Sequence, residues 1–558
     1  MLIYLLVSVI LGALVGDKWL ATQETKLESE TVYQLQMEGT VVEQAAEPNP
    51  LDVLMNMTGG ISDQTVGLDE LIGNIRLAKT DDRIKGILLS GGSFNMGMAS
   101  AKALRDELIA FKSSGKFLVA YAEHYGELNY YVASVADRIY INPVGSLDWH
   151  GLAAVKLYYP RLMDKLGIKM NILKVGTFKS AVEPYFCTKM SDADKMQTLH
   201  FLNGAWSVIC NAVGESRELT VQQLNNYADE TMDWMTADDY ITRGLVDEKA
   251  YRYHDMDSVL RDLTGVEDYH LLSTNQMSLV KRPNNKAENQ IAVLYAEGEI
   301  TDEEGDGIVG TKMIKNIKKI AKNKDIKAVV LRVNSPGGSA NASEQIWHAL
   351  QTVRQEGKPV VVSMGDYAAS GGYYISCGAD YIYAEPTTLT GSIGIFGLIP
   401  DVSKLRDKIG IDIDGVGTNR HSDSHMVLKG MNDEEKRMMQ ATVEQGYELF
   451  TSRCAEGRRL PQDTVKAIGE GRVWLGTDAL AKGLVDSLGN MDDAVNKAAE
   501  LANIEHYTMA YYPQRVDFMQ ELLNELDNTS EEDKIIMKMK TRFAKPRIMA
   551  LMPEISIR

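Results

Sequence analysis

The chain contains two copies of one sequence pattern, and this duplication constrains its fold more than any other feature. DDRIKGILLSGG (81–92) resembles NKDIKAVVLRVNSPGG (323–338), and further pieces of the first half return in the second half in the same order. The spacing is nearly constant, since Tyr131 and Tyr374 of two matching segments lie 243 residues apart. We therefore predict two tandem domains of the same fold.

The limits of the matching segments divide the 558 residues. We predict a first repeat over 31–250, a linker over 251–289, a second repeat over 290–505 and a C-terminal extension over 506–558. Each copy alternates short β-branched runs with stretches of helical spacing. This alternation predicts β-α-β units around a mainly parallel sheet, in the α/β class. Sites in such sheets form at the carboxyl ends of the strands.

The N-terminus is uncharged and strongly apolar. MLIYLLVSVILGALVG runs for 16 residues without a charged side chain. A helix of this length covers about 24 Å, and DKWLA would extend it towards the ~30 Å of a bilayer core. We predict an N-terminal transmembrane anchor over residues 1–22, with the rest of the chain exported. A cleaved signal sequence is the alternative.

The overall charge and the cysteines exclude two classes of function. The net charge of −18 argues against a nucleic-acid partner, because phosphate neutralisation requires basic surface. The four cysteines are far apart and form no metal-binding motif, so we expect buried free thiols, no metal and no other cofactor; they are Cys187, Cys210, Cys377 and Cys454.

One serine stands among small residues where a strand is predicted to give way to a helix. DYAASGGYYIS (366–376) follows an apolar run and places Ser370 between Ala369 and Gly371. One interpretation is a helix cap; the other is a nucleophile on a tight turn. NSPGG, at the end of the preceding strand, supplies backbone N–H groups unobstructed by side chains. We expect the N–H groups of Gly338 and Gly371 to form an oxyanion hole.

Four motifs resemble the signal peptide peptidase A family, also called protease IV. They are VNSPGGSA (333–340), DYAASGGYYIS, LTGSIG (389–394) and KVGTFKSAVEP (174–184). The resemblance implies the fold of the Clp protease and crotonase superfamily in two tandem copies. It also implies a serine endopeptidase of the bacterial inner membrane, anchored by one helix, with its catalytic part outside the cytoplasm. Such enzymes digest cleaved signal peptides, and the long form assembles as a homotetramer.

The same resemblance implies a Ser–Lys dyad without a catalytic histidine. It makes Ser370 the nucleophile, Lys179 the general base and Ser392 a hydroxyl that hydrogen-bonds the lysine nitrogen. At an unperturbed pKa of ~10.4, only about one lysine in 2,500 is neutral at pH 7. We therefore expect burial to lower the pKa of Lys179.

Aligning the two copies shows that neither has a complete dyad. Opposite Ser370 the first copy has Glu127 or Leu128, and opposite Lys179 the second copy has Arg420. Arginine stays protonated and cannot act as a base. A complete site therefore requires Lys179 of the first copy to reach Ser370 of the second, and the resemblance implies that both belong to one protomer.

Three alternatives stay open at this level. A Ser370–His421 pair within the second copy is the main rival inside the protease class. A crotonase-like acyl-CoA enzyme would share the fold and the paired backbone donors. A non-catalytic membrane scaffold would have lost the chemistry altogether.

Substrate binding is only partly predictable from the sequence. We expect an extended peptide to add as a strand beside an exposed sheet edge. GIFGLI (394–399) could line such a groove or pack in the core. The basic tail over 538–558 could contact lipid headgroups, shape a tetramer rim or remain a solvated terminus.

Overall fold

The computed structural model describes most of the chain. The described residues are 25–45, 65–230, 232–282, 287–305, 307–424, 426–513, 547–552 and 556–557. Among them, no helix combines the length and apolarity required to cross a membrane. The predicted anchor over residues 1–22 lies outside the described residues.

The strands are short apart from those at the centres of the sheets. In chain order they are β1 Thr31–Val42, β2 Thr65–Gly67, β3 Ile84–Asn95, β4 Phe117–Tyr125, β5 Arg138–Leu147, β6 Ala154–Val155, β7 Lys169–Lys174, β8 Glu248–Lys249, β9 His270–Ser273, β10 Asn289–Glu297, β11 Ile300–Thr301, β12 Ile308–Val309, β13 Ile326–Ser335, β14 Gly337–Ser339, β15 Val360–Ala369, β16 Tyr381–Ala384, β17 Leu389–Gly391, β18 Phe396–Asp401, β19 Val473–Leu475, β20 Ser487–Leu488, β21 Tyr507–Tyr512, β22 Arg547–Leu551 and β23 Ser556–Ile557.

Helices separate most of the central strands. In chain order they are α1 Leu68–Thr80, α2 Met98–Lys112, α3 Glu127–Ala133, α4 Pro160–Leu166, α5 Asp192–Arg217, α6 Val221–Ala228, α7 Ala237–Thr242, α8 Asp255–Thr264, α9 Thr274–Ser278, α10 Gly310–Lys322, α11 Ala340–Gln355, α12 Gly371–Ser376, α13 Ser403–Lys408, α14 Asp433–Arg458, α15 Gln462–Ile468, α16 Gly476–Ala481 and α17 Met491–Ala502. Short 3₁₀ turns occur at Ser180–Tyr185 and Met232–Trp234.

The chain folds into two compact units. Unit 1 comprises the described residues within Met1–Gly151 and Ser207–Asn285, and unit 2 those within Leu152–Trp206, Lys286–Gln514 and Glu521–Arg558. Residues 152–206 lie within the predicted first repeat but belong to unit 2. This grouping places the lysine motif in the same unit as the serine motif.

Unit 1 is built on a parallel sheet. Its strands follow the order β2-β1-β3-β4-β5-β8, with β9 also paired to β1. Helix α1 buries Leu68, Leu71, Ile75 and Ala78, whose three- and four-residue spacing forms one apolar face. β-branched strands and amphipathic helices thus produce the predicted alternation.

Unit 2 contains a larger parallel sheet and a second, mixed sheet. The larger sheet runs β19-β17-β15-β13-β10-β21 and is parallel except between β17 and β19. The mixed sheet runs β12-β11-β14-β22-β18-β7. Strands β13 and β15 are parallel neighbours, with Ser335 opposite Ala368. The PGG turn and Ser370 therefore lie side by side at the carboxyl ends of two strands, and the predicted α/β class is confirmed.

The duplication is visible in the hydrogen bonds inside each unit. In unit 1, Tyr130 Oη donates to the Leu245 carbonyl at 2.7 Å, and the Arg217 guanidinium pairs with Asp247. In unit 2, the same roles fall to Tyr373, which donates to the Leu484 carbonyl at 2.8 Å, and to the Arg458–Asp486 pair. Repeated contacts of this kind show that the two copies share one fold.

The cysteines and the C-terminal tail are placed as follows. All four cysteines are free; Cys187 is half-buried and the other three are buried. Within the tail, residues 547–551 form strand β22 of the mixed sheet. The expectation of a solvated terminus is therefore wrong for this part of the tail, because it pairs with two strands of unit 2.

Candidate active site

Ser370 occupies a strained turn between strand β15 and helix α12. Its backbone lies at φ 55° and ψ −112°, a region that residues other than glycine rarely enter. The Ser370 N–H donates to the Gly391 carbonyl and its carbonyl accepts from Tyr374 N–H, each at 2.8 Å. The Ser370 side chain makes no capping hydrogen bond to the helix. Strain of this kind costs about 1–3 kcal/mol and persists only where surrounding structure enforces it, which does not fit a simple helix cap.

Lys179 is held by a turn that follows β7. Strand β7 pairs antiparallel with β18, and Gly176 then reverses the chain at φ 108°. A Cβ on Gly176 would lie 2.4 Å from the Glu470 carbonyl oxygen, so only glycine fits there. The next turn is fixed by Phe178 N–H, which donates to the same Glu470 carbonyl at 2.9 Å.

The two motifs meet inside unit 2. Lys179 Nζ lies 2.8 Å from Ser370 Oγ. It also lies 3.0 Å from the Ser392 carbonyl oxygen and 3.0 Å from Ser392 Oγ. All three side chains are fully buried. The structure thus brings together within one chain the three side chains that the sequence singled out.

The partners of Lys179 determine the direction of each hydrogen bond. Ser392 Oγ lies 3.4 Å from the Gly471 carbonyl, to which it donates, so its lone pairs accept from Nζ. The Ser392 carbonyl can only accept. A neutral amine has two N–H groups, and both are used on Ser392. In this neutral form the lone pair faces Ser370 Oγ and accepts the serine O–H, as proton abstraction requires, whereas in the protonated form Nζ donates to Ser370 Oγ.

Burial lowers the pKa of the Lys179 amine well below its ordinary value of 10.5. The apolar stem of the lysine is enclosed by two glycines, since a Cβ on Gly471 would lie 2.7 Å from Lys179 Cβ and one on Gly394 would lie 3.3 Å from Lys179 Cδ. Removal from water disfavours the charged ammonium form. The neutral form that a general base needs is favoured as a result.

This lowered pKa predicts the pH dependence of both activity and stability. We expect kcat/KM for peptide hydrolysis to rise as Lys179 loses its proton and to level off well below pH 10.5. Between the folded-state pKa and 10.5, the folded chain binds fewer protons than the unfolded chain. The free energy of unfolding should therefore also rise with pH across this interval, and Lys179→Met should remove that part of the rise. Rate profiles and urea melts at several pH values measure both; a rate still climbing tenfold per pH unit up to pH 10.5 would contradict the lowered pKa.

The two proposed oxyanion donors are adjacent. A Cβ on Gly371 would lie 3.0 Å from Gly338 N, which places the two backbone groups close together beside Ser370. Gly337 and Gly338 have φ of 104° and 156°, conformations that only glycine adopts readily. The PGG sequence is therefore required by backbone shape, and it leaves the N–H groups free of side chains.

The position opposite Ser370 in the first copy and the position opposite Lys179 in the second copy do not form a second dyad. Glu127 begins α3 in an ordinary helical turn, and its carboxylate accepts from the backbone N–H groups of His150 and Gly151. Burial raises the pKa of Glu127. Arg420 is exposed and hydrogen-bonds Glu434, while His421 Nε2 lies 3.7 Å from the same carboxylate. Neither Arg420 nor His421 is thus engaged with Ser370, which is bonded to Lys179.

Gln197 hydrogen-bonds the loop that carries Lys179, a contact that the sequence did not reveal. Its Nε2 donates to the Phe178 carbonyl at 3.1 Å and to Ser180 Oγ at 3.0 Å, on either side of Lys179. Its Oε1 accepts from Val473 N–H at 3.2 Å. A lone glutamine in a long helix carries no sequence signal, because its contacts depend on which loop packs against it.

Comparison with known proteins assigns the chain to a family. The model of peptidase family S49 matches residues 110–267 and again 352–505, one match in each repeat. The Clp protease model matches residues 284–388, which include the PGG turn and Ser370. The double match agrees with the duplication seen in the sequence and in the hydrogen bonds.

Full-length relatives are also similar over most of the chain. Protease 4 of Salmonella typhi is 40% identical over 494 residues, covering 86% of this chain and 79% of the relative. Protease 4 of Haemophilus influenzae is 34% identical over 522 residues, covering 90% and 83%. The chloroplastic serine protease SPPA of Arabidopsis thaliana is 30% identical over 475 residues, covering 81% and 69%.

Proposed function

This chain belongs to peptidase family S49 and is a serine protease of the SppA type, and from that premise we propose that Ser370 and Lys179 are its catalytic dyad. The observation that carries the proposal is the 2.8 Å contact between Lys179 Nζ and Ser370 Oγ in a fully buried setting. Membership of a peptidase family also argues against the acyl-CoA enzyme and the scaffold.

The geometry supports a complete acyl-transfer cycle. Ser370 Oγ attacks the carbonyl carbon of a peptide bond while its proton passes to the Lys179 lone pair. The N–H groups of Gly338 and Gly371 stabilise the developing oxyanion. The lysine ammonium, held by Ser392, then protonates the leaving amine. Water hydrolyses the acyl-enzyme, with Lys179 again acting as the base.

The proposed substrates are signal peptides and similar apolar peptides beside a membrane. The uncharged run at the start of the sequence would hold the enzyme at the bilayer, on the periplasmic side in a bacterium, as the family resemblance implies. Peptide substrates agree with the names of the relatives, which are proteases. We also propose that the enzyme assembles as a homotetramer, because the same family resemblance implies it.

A fluorophosphonate probe and a quenched apolar peptide test this proposal on the full chain in detergent. We expect the probe to label Ser370, located by peptide mass mapping. Ser370→Ala should lose the label and at least about 10⁴-fold in kcat, as removal of a serine nucleophile does elsewhere. An acyl-CoA thioester, offered in parallel, should not be turned over.

The matched control is Ser376→Ala. Ser376 is a buried serine at the end of the same helix, and its hydroxyl donates to the Gly372 carbonyl. This variant should keep the label and the hydrolysis. Labelling of another serine, or hydrolysis that survives Ser370→Ala, would refute the assignment of the nucleophile.

A further inference from the structure

The side-chain amide of Gln197 joins the loop that carries Lys179 to strand β19. Its Nε2 donates to groups of Phe178 and Ser180, which flank the lysine, and its Oε1 accepts from the Val473 N–H. A backbone N–H can only donate and a carbonyl can only accept, so these partners allow one orientation of the amide. Because Gln197 is buried, losing these bonds would leave polar groups without a partner away from water.

The far end of this bridge lies on the strand pair that supports the other two residues of the site. Strand β19 pairs antiparallel with β17, and Val473 lies opposite Gly391. The Gly391 carbonyl accepts from Ser370 N–H at 2.8 Å, and Ser392 directly follows Gly391. Gln197 therefore ties the loop of the base to the strands on which the nucleophile and the lysine-binding hydroxyl rest.

A buried ion pair lies behind the amide. Lys156 Nζ lies 2.8 and 2.7 Å from the two carboxylate oxygens of Asp194, and the two side chains are 3% and 0% exposed. Asp194 Oδ1 also lies 3.1 Å from Gln197 Nε2, three residues further along α5. Separating a buried charge from its partner is costly, so the pair resists rearrangement and restricts the amide to one place.

The turn that follows Lys179 is attached to the start of α5 at a second point. The buried Glu183 carboxylate accepts from Ser191 N–H at 3.1 Å and from Ser191 O–H at 2.7 Å. Ser191 Oγ in turn accepts from Asp194 N–H at 3.1 Å. The start of α5 and the lysine loop thus share one buried polar network, in which Gln197 bonds the residues on either side of Lys179.

We propose that Gln197 is a positioning residue, which holds Lys179 Nζ at hydrogen-bond distance from Ser370 Oγ; this inference rests on the proposed dyad. Gln197 acts through the backbone of the lysine loop and touches neither reacting atom. The 2.8 Å contact between base and nucleophile is sensitive to this support, because a displacement of about 1 Å can lower a rate about 10²-fold.

Two changes are expected in Gln197→Met, which fills the same space but cannot bond the loop or β19. First, kcat/KM near neutral pH should fall about 10²-fold, mostly through kcat, because the base is displaced while substrate binding is retained. Second, a loosened loop admits water to Lys179, whose pKa is lowered by burial. The rise of kcat/KM with pH should therefore move to higher pH.

The measurement is a set of rate profiles across pH for a quenched apolar peptide, with thermal melts, on the full chain in detergent. Gln351→Met is the matched control. Gln351 Nε2 donates to the Gly378 carbonyl at 3.3 Å and its Oε1 accepts from Arg354 Nη1 at 2.7 Å, and neither partner belongs to the lysine loop or to β19. This control should lower the thermal midpoint slightly and leave the pH profile unchanged.

Ser180→Ala is a second, milder variant. It removes one acceptor of the Gln197 amide and leaves the Phe178 carbonyl and the Val473 N–H in place. It should show the same two changes to a smaller extent. If Gln197→Met does not fold, this variant is the test.

Wild-type kcat/KM and an unmoved pH profile in folded Gln197→Met would overturn the proposal. A lower rate with an unmoved profile would also overturn it, because a purely structural role lowers the amount of folded enzyme without changing the base. Ser370→Ala and Lys179→Met, assayed with the same peptide, separate the two proposals. Full activity in either one refutes the dyad, whereas loss in both together with wild-type behaviour of Gln197→Met refutes only the positioning role.

Discussion

Lys179→Met is expected to lower kcat/KM for peptide hydrolysis by about 10²–10⁴-fold, the usual contribution of a positioned general base. The methionine preserves the length and the apolar stem of the side chain but removes the lone pair that faces Ser370 Oγ. Lys179→Arg should not restore activity, because a guanidinium stays protonated at any working pH. Steady-state hydrolysis of a quenched apolar peptide measures both.

Folding of this variant is checked by its thermal midpoint. Because burial disfavours the Lys179 ammonium, its removal should leave the midpoint near neutral pH at or above that of wild type. His421→Ala is the companion variant and should retain near wild-type rates, since His421 faces Glu434. Full activity in Lys179→Met together with loss in His421→Ala would replace the Ser–Lys dyad with a serine–histidine pair.

Gly338→Ala is expected to lower kcat/KM by about 10²–10³-fold, the cost of losing one oxyanion donor. The added methyl group would lie 2.0 Å from the Ile300 carbonyl oxygen and 2.6 Å from Ile300 N, both backbone atoms of β11. Because Gly338 pairs directly with Ile300, β14 must move away from β11 to accept it. That movement displaces the Gly338 N–H from the position of the oxyanion.

Gly357→Ala provides a control with the same kind of backbone strain. Gly357 has φ 80° and nothing within 4 Å of its added Cβ, so the substitution costs strain without a collision. It should lower the thermal midpoint slightly and leave kcat/KM unchanged. Equal activity in Gly338→Ala and Gly357→Ala, with both folded, would show that the Gly338 N–H does not contribute to catalysis.

Much of the site was predictable because its signals are local. Ser370 and the PGG turn lie at strand ends that the β-branched runs mark, and small residues beside them indicate a tight turn. The exclusion of Arg420 follows from the chemistry of guanidinium alone. Lys179 was predicted from the resemblance of its motif to a family motif and from the absence of a complete dyad in either copy. Its lowered pKa was predicted because a general base must be neutral.

Other features depended on contacts between distant segments. Gln197 lies 276 residues from its partner Val473, and the sequence around neither residue predicts the contact. The tail over 538–558 is basic, which suggested a lipid or solvent contact, yet residues 547–551 pair as a strand. Backbone hydrogen bonds can accept almost any sequence, so composition does not tell where such a strand will dock.

The sequence by itself determined the α/β class and the duplication; it also predicted Ser370 as the nucleophile and, through a family resemblance, Lys179 of the other copy as its base. The class follows from the periodicity of strands and helices, and the duplication follows from the repeated segments. Ser370 was indicated by the small residues beside it, and Lys179 by the resemblance of its motif. Only the tertiary structure decided that residues 152–206 join unit 2, that Lys179 Nζ lies 3.0 Å from both the carbonyl oxygen and Oγ of Ser392, and that strand β22 lies between β14 and β18. These depend on which surfaces bury each other, a choice made by the packing of the whole chain and encoded at no single position.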